Sequence, residues 1–145
     1  MTIYTIGFTK KNAERFFDLV CGAHPRRLVD VRLHNSSQLA GFAKQSDLAY
    51  FLAKLCGLEY AAEPRLAPEA ETLAAYRAKR MTWESYENRF LELLRDRRVE
   101  TTIPKDLIDG AVLLCSEDSP SRCHRRLVAE YLAEAWGGAE IIHLR

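Results

Sequence analysis

Long apolar runs are missing from this 145-residue chain. No stretch approaches the roughly 20 residues that a membrane helix needs, so a helical membrane span is excluded. An excess of charge of one sign is missing too: 21 Lys and Arg stand against 20 Asp and Glu, a formal charge of +1. That balance removes any global electrostatic case for nucleic acid or an anionic membrane, and any basic site must be local. Paired Cys-x-x-Cys elements are absent, which weakens a zinc reading. The dinucleotide fingerprint is absent, because Gly7 stands alone before Phe8-Thr9-Lys10, and no P-loop occurs. Repeats and low-complexity segments are absent as well.

The four cysteines, at 21, 56, 115 and 123, lack the density and spacing of a secreted disulfide scaffold. A reducing compartment fits better, and Cys56 reads as a core residue. The N-terminus reaches Lys10-Lys11 too soon for a signal peptide, so the expectation is a soluble, cytoplasmic chain. Its length suits one domain, 1–145, with a core that needs no staples.

What is present alternates between strand-like and helix-like runs. Ile3–Ile6, Leu28–Arg32, Ala111–Cys115 and Glu140–Leu144 read as strands, with Leu58–Ala61 as a short edge strand. Helices are expected after Thr9, which could cap Ala13, Phe16, Phe17 and Val20. A second follows a cap at Ser46 or Asp47 and buries Leu48, Phe51, Leu52, Leu55 and Cys56, with Gly57 as its C′ residue. Others run from about 69 to 79, 82 to 98 and 122 to 136. A polar loop is expected from His34 to Gln45. Continuous apolar strands between helices predict an α/β domain: a mostly parallel sheet of four to five strands with helices on both faces, a Rossmann-like three-layer arrangement.

In such a sheet the loops leaving the C-terminal strand ends share one edge, where ligands bind. Gly7, Arg32 and Cys115 fall there. Ser121 could cap the following helix and leave Arg122, Cys123 and His124 in its first turn, where free N–H groups favour an anion and a lowered thiol pKa. Cys115 and Cys123 read as nucleophile or redox groups, or equally as small core hydrophobes. His124 and Glu117 could move protons, and Arg32 and Arg125 could hold phosphate or carboxylate. Asp30 must pair with an Arg or order a loop if buried. Trp83, Tyr86 and Phe90 read as a core stripe. Adjacent Cys123 and His124 would diverge by about 100° on a helix, so no metal is expected, nor any cofactor.

Thr5-Ile6-Gly7, Val29-Asp30-Val31-Arg32, Gly41-Phe42, and Leu113-Leu114-Cys115-x-Glu117 running to Cys123-His124-Arg125 together resemble the bacterial and archaeal family called domain of unknown function 488. The resemblance implies a small α/β domain in which Arg32, Cys115, Glu117, Cys123, His124 and Arg125 gather at one end of the sheet. It supplies no activity. The sequence departs from that pattern at Phe8, where the family usually has His, and at Leu66-Ala67-Pro68, where Leu-Gly-Gly is usual. A looser, topological likeness is to the rhodanese fold, but the loop after Cys115 is longer and acidic.

The expectation is therefore an enzyme acting on an anionic ligand: a phosphate-bearing small molecule, a nucleotide or a nucleic-acid end. A non-catalytic module binding nucleotide, nucleic acid or protein is the alternative, and thiol or sulfur-transfer chemistry is the third.

Overall fold

The computed structural model describes residues 1–34 and 41–145. Most of the polar loop expected between His34 and Gln45 lies outside the described residues. Five strands, β1 (Thr2–Gly7), β2 (Arg27–Asp30), β3 (Glu59–Ala62), β4 (Ala111–Cys115) and β5 (Glu140–Leu144), form one sheet in the order β3-β2-β4-β1-β5. Every pairing is parallel. The helices are α1 (Ala13–Ala23), α2 (Gln45–Cys56), α3 (Ala70–Arg77), α4 (Trp83–Arg97), the single turns α5 (Val99–Thr102) and α6 (Lys105–Ile108), and α7 (His124–Ala135).

Side chains alternate across a strand, so each strand feeds two cores. Ile6, Leu28, Val112 and Leu114 pack against Phe16 and Val20 of α1 and Leu48 and Leu52 of α2. On the other face Ile3, Val29, Leu113 and Cys115 meet Phe90 and Leu94 of α4 and Leu127 and Val128 of α7. Each fully buried Leu, Ile or Phe contributes roughly 1.5–3 kcal/mol. The same alternation decides the site: Cys115 faces the side on which α7 begins.

Local chemistry moves several boundaries. α1 starts at Ala13 because Asn12, rather than Thr9, caps it, its side chain accepting from the Arg15 amide at 2.8 Å. Lys10 just before it takes a left-handed turn, φ 60°, which delays the helix. α2 begins after Lys44 without a side-chain cap, so neither Ser46 nor Asp47 serves, while Gly57 closes it at φ 65° as expected. Leu55 does not join the buried face of α2; it is 59% exposed.

The cysteine reading needs a larger correction. α1 and α2 lie side by side, and their last turns bring Cys21 and Cys56 to a Cα–Cα distance of 5.2 Å in a disulfide. Cys56 is not a free core thiol, and cysteine number no longer argues for a reducing compartment. Cross-linking positions 35 residues apart restricts the unfolded chain by about 3–4 kcal/mol in the loop-entropy account. Reduction, or Cys21→Ser with Cys56→Ser, is expected to lower the urea midpoint accordingly; an unchanged midpoint would mean the bridge adds nothing. No helix among the described residues is long and apolar enough to cross a membrane.

Candidate functional site

β4 is a central strand, flanked by β2 and β1, and it ends at Cys115. A short 3-10 turn, Pro120–Arg122, then leads into α7. Ser121 does not cap that helix. Cys123 occupies the cap position with extended backbone, φ −137° and ψ 140°, and His124 is the first helical residue. Being outside the helix, Cys123 is free of the 100° divergence expected between it and His124.

The three side chains converge. Nδ1 of His124 lies 3.3 Å from the Cys115 sulfur, and Nε2 lies 2.7 Å from the Val31 carbonyl. A carbonyl can only accept, so Nε2 carries a proton and Nδ1 is turned to the thiol. Phe90 packs edge-on against the imidazole at 5.4 Å. The Cys115 and Cys123 sulfurs and a His124 ring nitrogen all lie within 4.8 Å of one another, and all three residues are buried. Such donors could also reach one soft metal ion, with the Nε2 bond to Val31 orienting the ring. Three is one fewer than the closed set of a structural zinc site, and a base-oriented thiol uses the same contacts.

Arg125 and Gly7 hold the loop that carries this cluster. Arg125 is fully buried, and its guanidinium donates to the carbonyls of Glu117 and Asp118, the latter at 3.1 Å, and to Thr5 Oγ1 at 3.3 Å. Thr9 Oγ1 donates to the Ser116 carbonyl, and Lys11 pairs with Asp118 at 2.6 Å. Gly7, opposite Cys115 in the register, lets the loop approach: a Cβ there would stand 1.6 Å from the Glu117 carbonyl oxygen. Gly7→Ala must push the loop away, which overpacking data put at roughly 1–3 kcal/mol or more. Thermal melts should show that loss together with altered thiol reactivity; a variant as stable as the parent would mean the loop yields freely.

Arg32 sits at the end of β2, where it is buried with Asp30. Its Nε and Nη2 donate to the two Asp30 oxygens at 2.9 and 2.7 Å, and Tyr60 donates to Asp30 at 2.5 Å. Burial alone would lower the Arg32 pKa, but Asp30 outweighs it and the value rises; burial and the same carboxylate drive Tyr60 up. The guanidinium lies over the Phe8 ring at 5.4 Å. Its remaining nitrogen, Nη1, is buried with no partner among the described residues.

Arg32, Cys115, Cys123 and His124 line a cleft of about 520 Å³, mouth included. Glu117 is exposed at its margin. Gly7 and Arg125 are not among its lining residues; they act from behind the loop. The opposite wall, which sequence reasoning missed, is Tyr76 and Arg77 from α3 with Trp83 and Tyr86 from α4. Tyr76, Trp83 and Tyr86 contact one another with centroids 4.9–5.6 Å apart. Tyr86 and Phe90 are the core residues expected, but Trp83 is only half-buried and faces the cleft. His34 reaches the cleft as well.

The two thiols diverge. Complete burial pushes the Cys115 thiol up, and its hydrogen bond with Cys123 and the charge there act in the same direction. Burial also opposes ionisation of Cys123. The adjoining Cys115 and His124 side chains, with the field of Arg125, outweigh it and bring Cys123 below the ordinary thiol range. The pair releases one proton early and holds the second.

These features define a single-domain parallel α/β protein with a buried dithiol–imidazole cluster at the C-terminal edge of its sheet. The family model for "Domain of unknown function DUF488" matches residues 12–132, and the chain belongs to that family. No curated protein and no solved structure shows a significant match.

Proposed function

We propose that the chain is an enzyme acting on an anionic ligand, with Cys123 as its nucleophile. The observation that carries this reading is the buried Cys115–Cys123–His124 cluster, which opens onto the same cleft as Arg32, whose Nη1 has no partner among the described residues. A donor with no partner calls for an acceptor, and a negatively charged ligand group supplies one. Held there, the ligand presents its electrophilic atom to Cys123.

The Cys123 thiolate forms a bond to that atom, and the leaving group departs with its bonding pair. The proton that it needs comes from the Cys115 thiol and His124, which hold it between them. Water then adds to the sulfur-bound intermediate, giving its proton to Glu117 at the margin of the cleft, and Cys123 leaves again as the thiolate. Proton return from Glu117 to the Cys115–His124 pair completes the cycle.

Two alkylating agents of similar size test the anion and the thiol together. Iodoacetate, which is negatively charged, should modify Cys123 faster than neutral iodoacetamide, relative to the ratio for a small free thiol at the same pH. Arg32→Met should abolish that preference. Preference for the neutral reagent, or none, would contradict an anion-selective thiol.

A further inference from the structure

Beside the cleft, and sharing Tyr76, Arg77 and Arg122 with it, runs an open groove of about 840 Å³ lined also by Lys79, Arg80, Met81 and Thr82. Four of its lining residues are cations and none is an acid. Among the described residues, Arg77, Lys79, Arg80 and Arg122 take part in no salt bridge, whereas Arg32, Arg65 and Arg126 do. Four like charges lining one groove repel one another, and a polyanion laid along it relieves that repulsion.

The turn between α3 and α4 fixes two of them. Lys79 adopts φ 60°, and the amides of Ala78, Lys79 and Arg80 bond back to carbonyls of Ala74, Tyr76 and Ala75. A left-handed position suits Gly better than Lys, so the turn carries a charge at some conformational cost. Tyr76 and half-buried Trp83 stand where groove meets cleft, which adds flat apolar faces to the line of charge.

We infer that the groove binds a single-stranded nucleic acid: Arg77, Lys79, Arg80 and Arg122 follow its phosphates, and one base rests on Tyr76 and Trp83 with its reacting group over Cys123. Basic grooves interleaved with aromatic rings bind strands in this way. Stacking on ring faces needs bases that are not already paired and stacked in a duplex, which selects a single strand. This inference rests on the proposed function for its chemistry but not for its binding. It narrows the anionic ligand from a small molecule to a polymer.

Fluorescence anisotropy with labelled oligothymidylate and oligouridylate of about 12 nucleotides tests it at two salt concentrations. Four phosphate contacts on a single strand give a log–log salt slope near −2.8, or roughly 50-fold weaker binding between about 50 and 200 mM salt. Lys79→Gly with Arg80→Ala keeps the left-handed turn and should halve the slope, to roughly 7-fold over the same range. The two probes decide between DNA and RNA. Absence of binding at low salt, an unchanged slope in the double variant, or equal affinity for polyglutamate would overturn the inference, the last in favour of an acidic protein partner. The two readings fail separately. Oligonucleotide binding that survives while Cys123 proves inert leaves the groove and removes the chemistry; a reactive Cys123 without oligonucleotide binding does the reverse.

Discussion

Asp30→Ala is expected to lower the stability of the domain by about 3–5 kcal/mol, the cost of leaving a buried charge without its partner. Arg32 and Asp30 have side chains only 2% and 0% exposed, so solvent compensates little for the lost carboxylate. The carboxylate also accepts from the Arg32 amide and from Tyr60, and all of these donors are orphaned at once. Against a total of about 5–15 kcal/mol for a typical domain, that loss is large. Asp30→Ala with Arg32→Met removes both charges and should recover part of the loss, which a double-mutant cycle in urea resolves. If the single variant is as stable as the parent, the pair is not what holds the end of β2.

Arg125→Met is the second large effect, and it should show in two readouts. The variant leaves the Glu117 and Asp118 carbonyls without their donor, at about 1–3 kcal/mol for each group that stays buried. Removing a buried cation returns some of this, so a net loss of roughly 2–4 kcal/mol is expected. Cys123 should also move up toward the ordinary thiol value, because a positive charge has gone. Its sign in stability follows from linkage. A thiol with a folded pKa below its unfolded one adds stability that is present above the unfolded value and is lost as pH falls through the folded value. In Arg125→Met that window narrows. Cys115 has the opposite sign: its pKa is raised, so stability falls as pH climbs beyond the unfolded thiol value of about 8.5. Denaturation at several pH values with thiol titration checks both; a destabilised variant with Cys123 unmoved would reduce Arg125 to a loop clamp.

The sheet was legible because its strands are short apolar runs with clear ends. β4 and β5 begin and stop where Ala111, Cys115, Glu140 and Leu144 suggested, and strand-end logic placed Gly7, Arg32 and Cys115 on one edge. Asp30, too costly to bury alone, has its arginine. What the sequence concealed depends on how helices pack. Cys21 and Cys56 meet only because α1 and α2 are neighbours, and no spacing announces that. Tyr76, Arg77 and Trp83 join the cleft because the α3–α4 pair folds over the end of β4. Arg125 looked like an anion binder from its neighbours in sequence; α7 starting at His124 turns it inward to Thr5 and the loop carbonyls instead.

The central claim is that one proton is easily removed from the Cys115–Cys123–His124 cluster and that Cys123 is the thiol that loses it. The direct measurement is the pH dependence of alkylation at each free cysteine in the unreduced protein, read by mass spectrometry of peptides. Cys123 should react with a midpoint below the ordinary value of about 8.5, while Cys115 stays unreactive past it and the bridged Cys21 and Cys56 do not react. A Cys123 that is inert, or that titrates at or above the ordinary value, would contradict the account and make the cluster a packing feature.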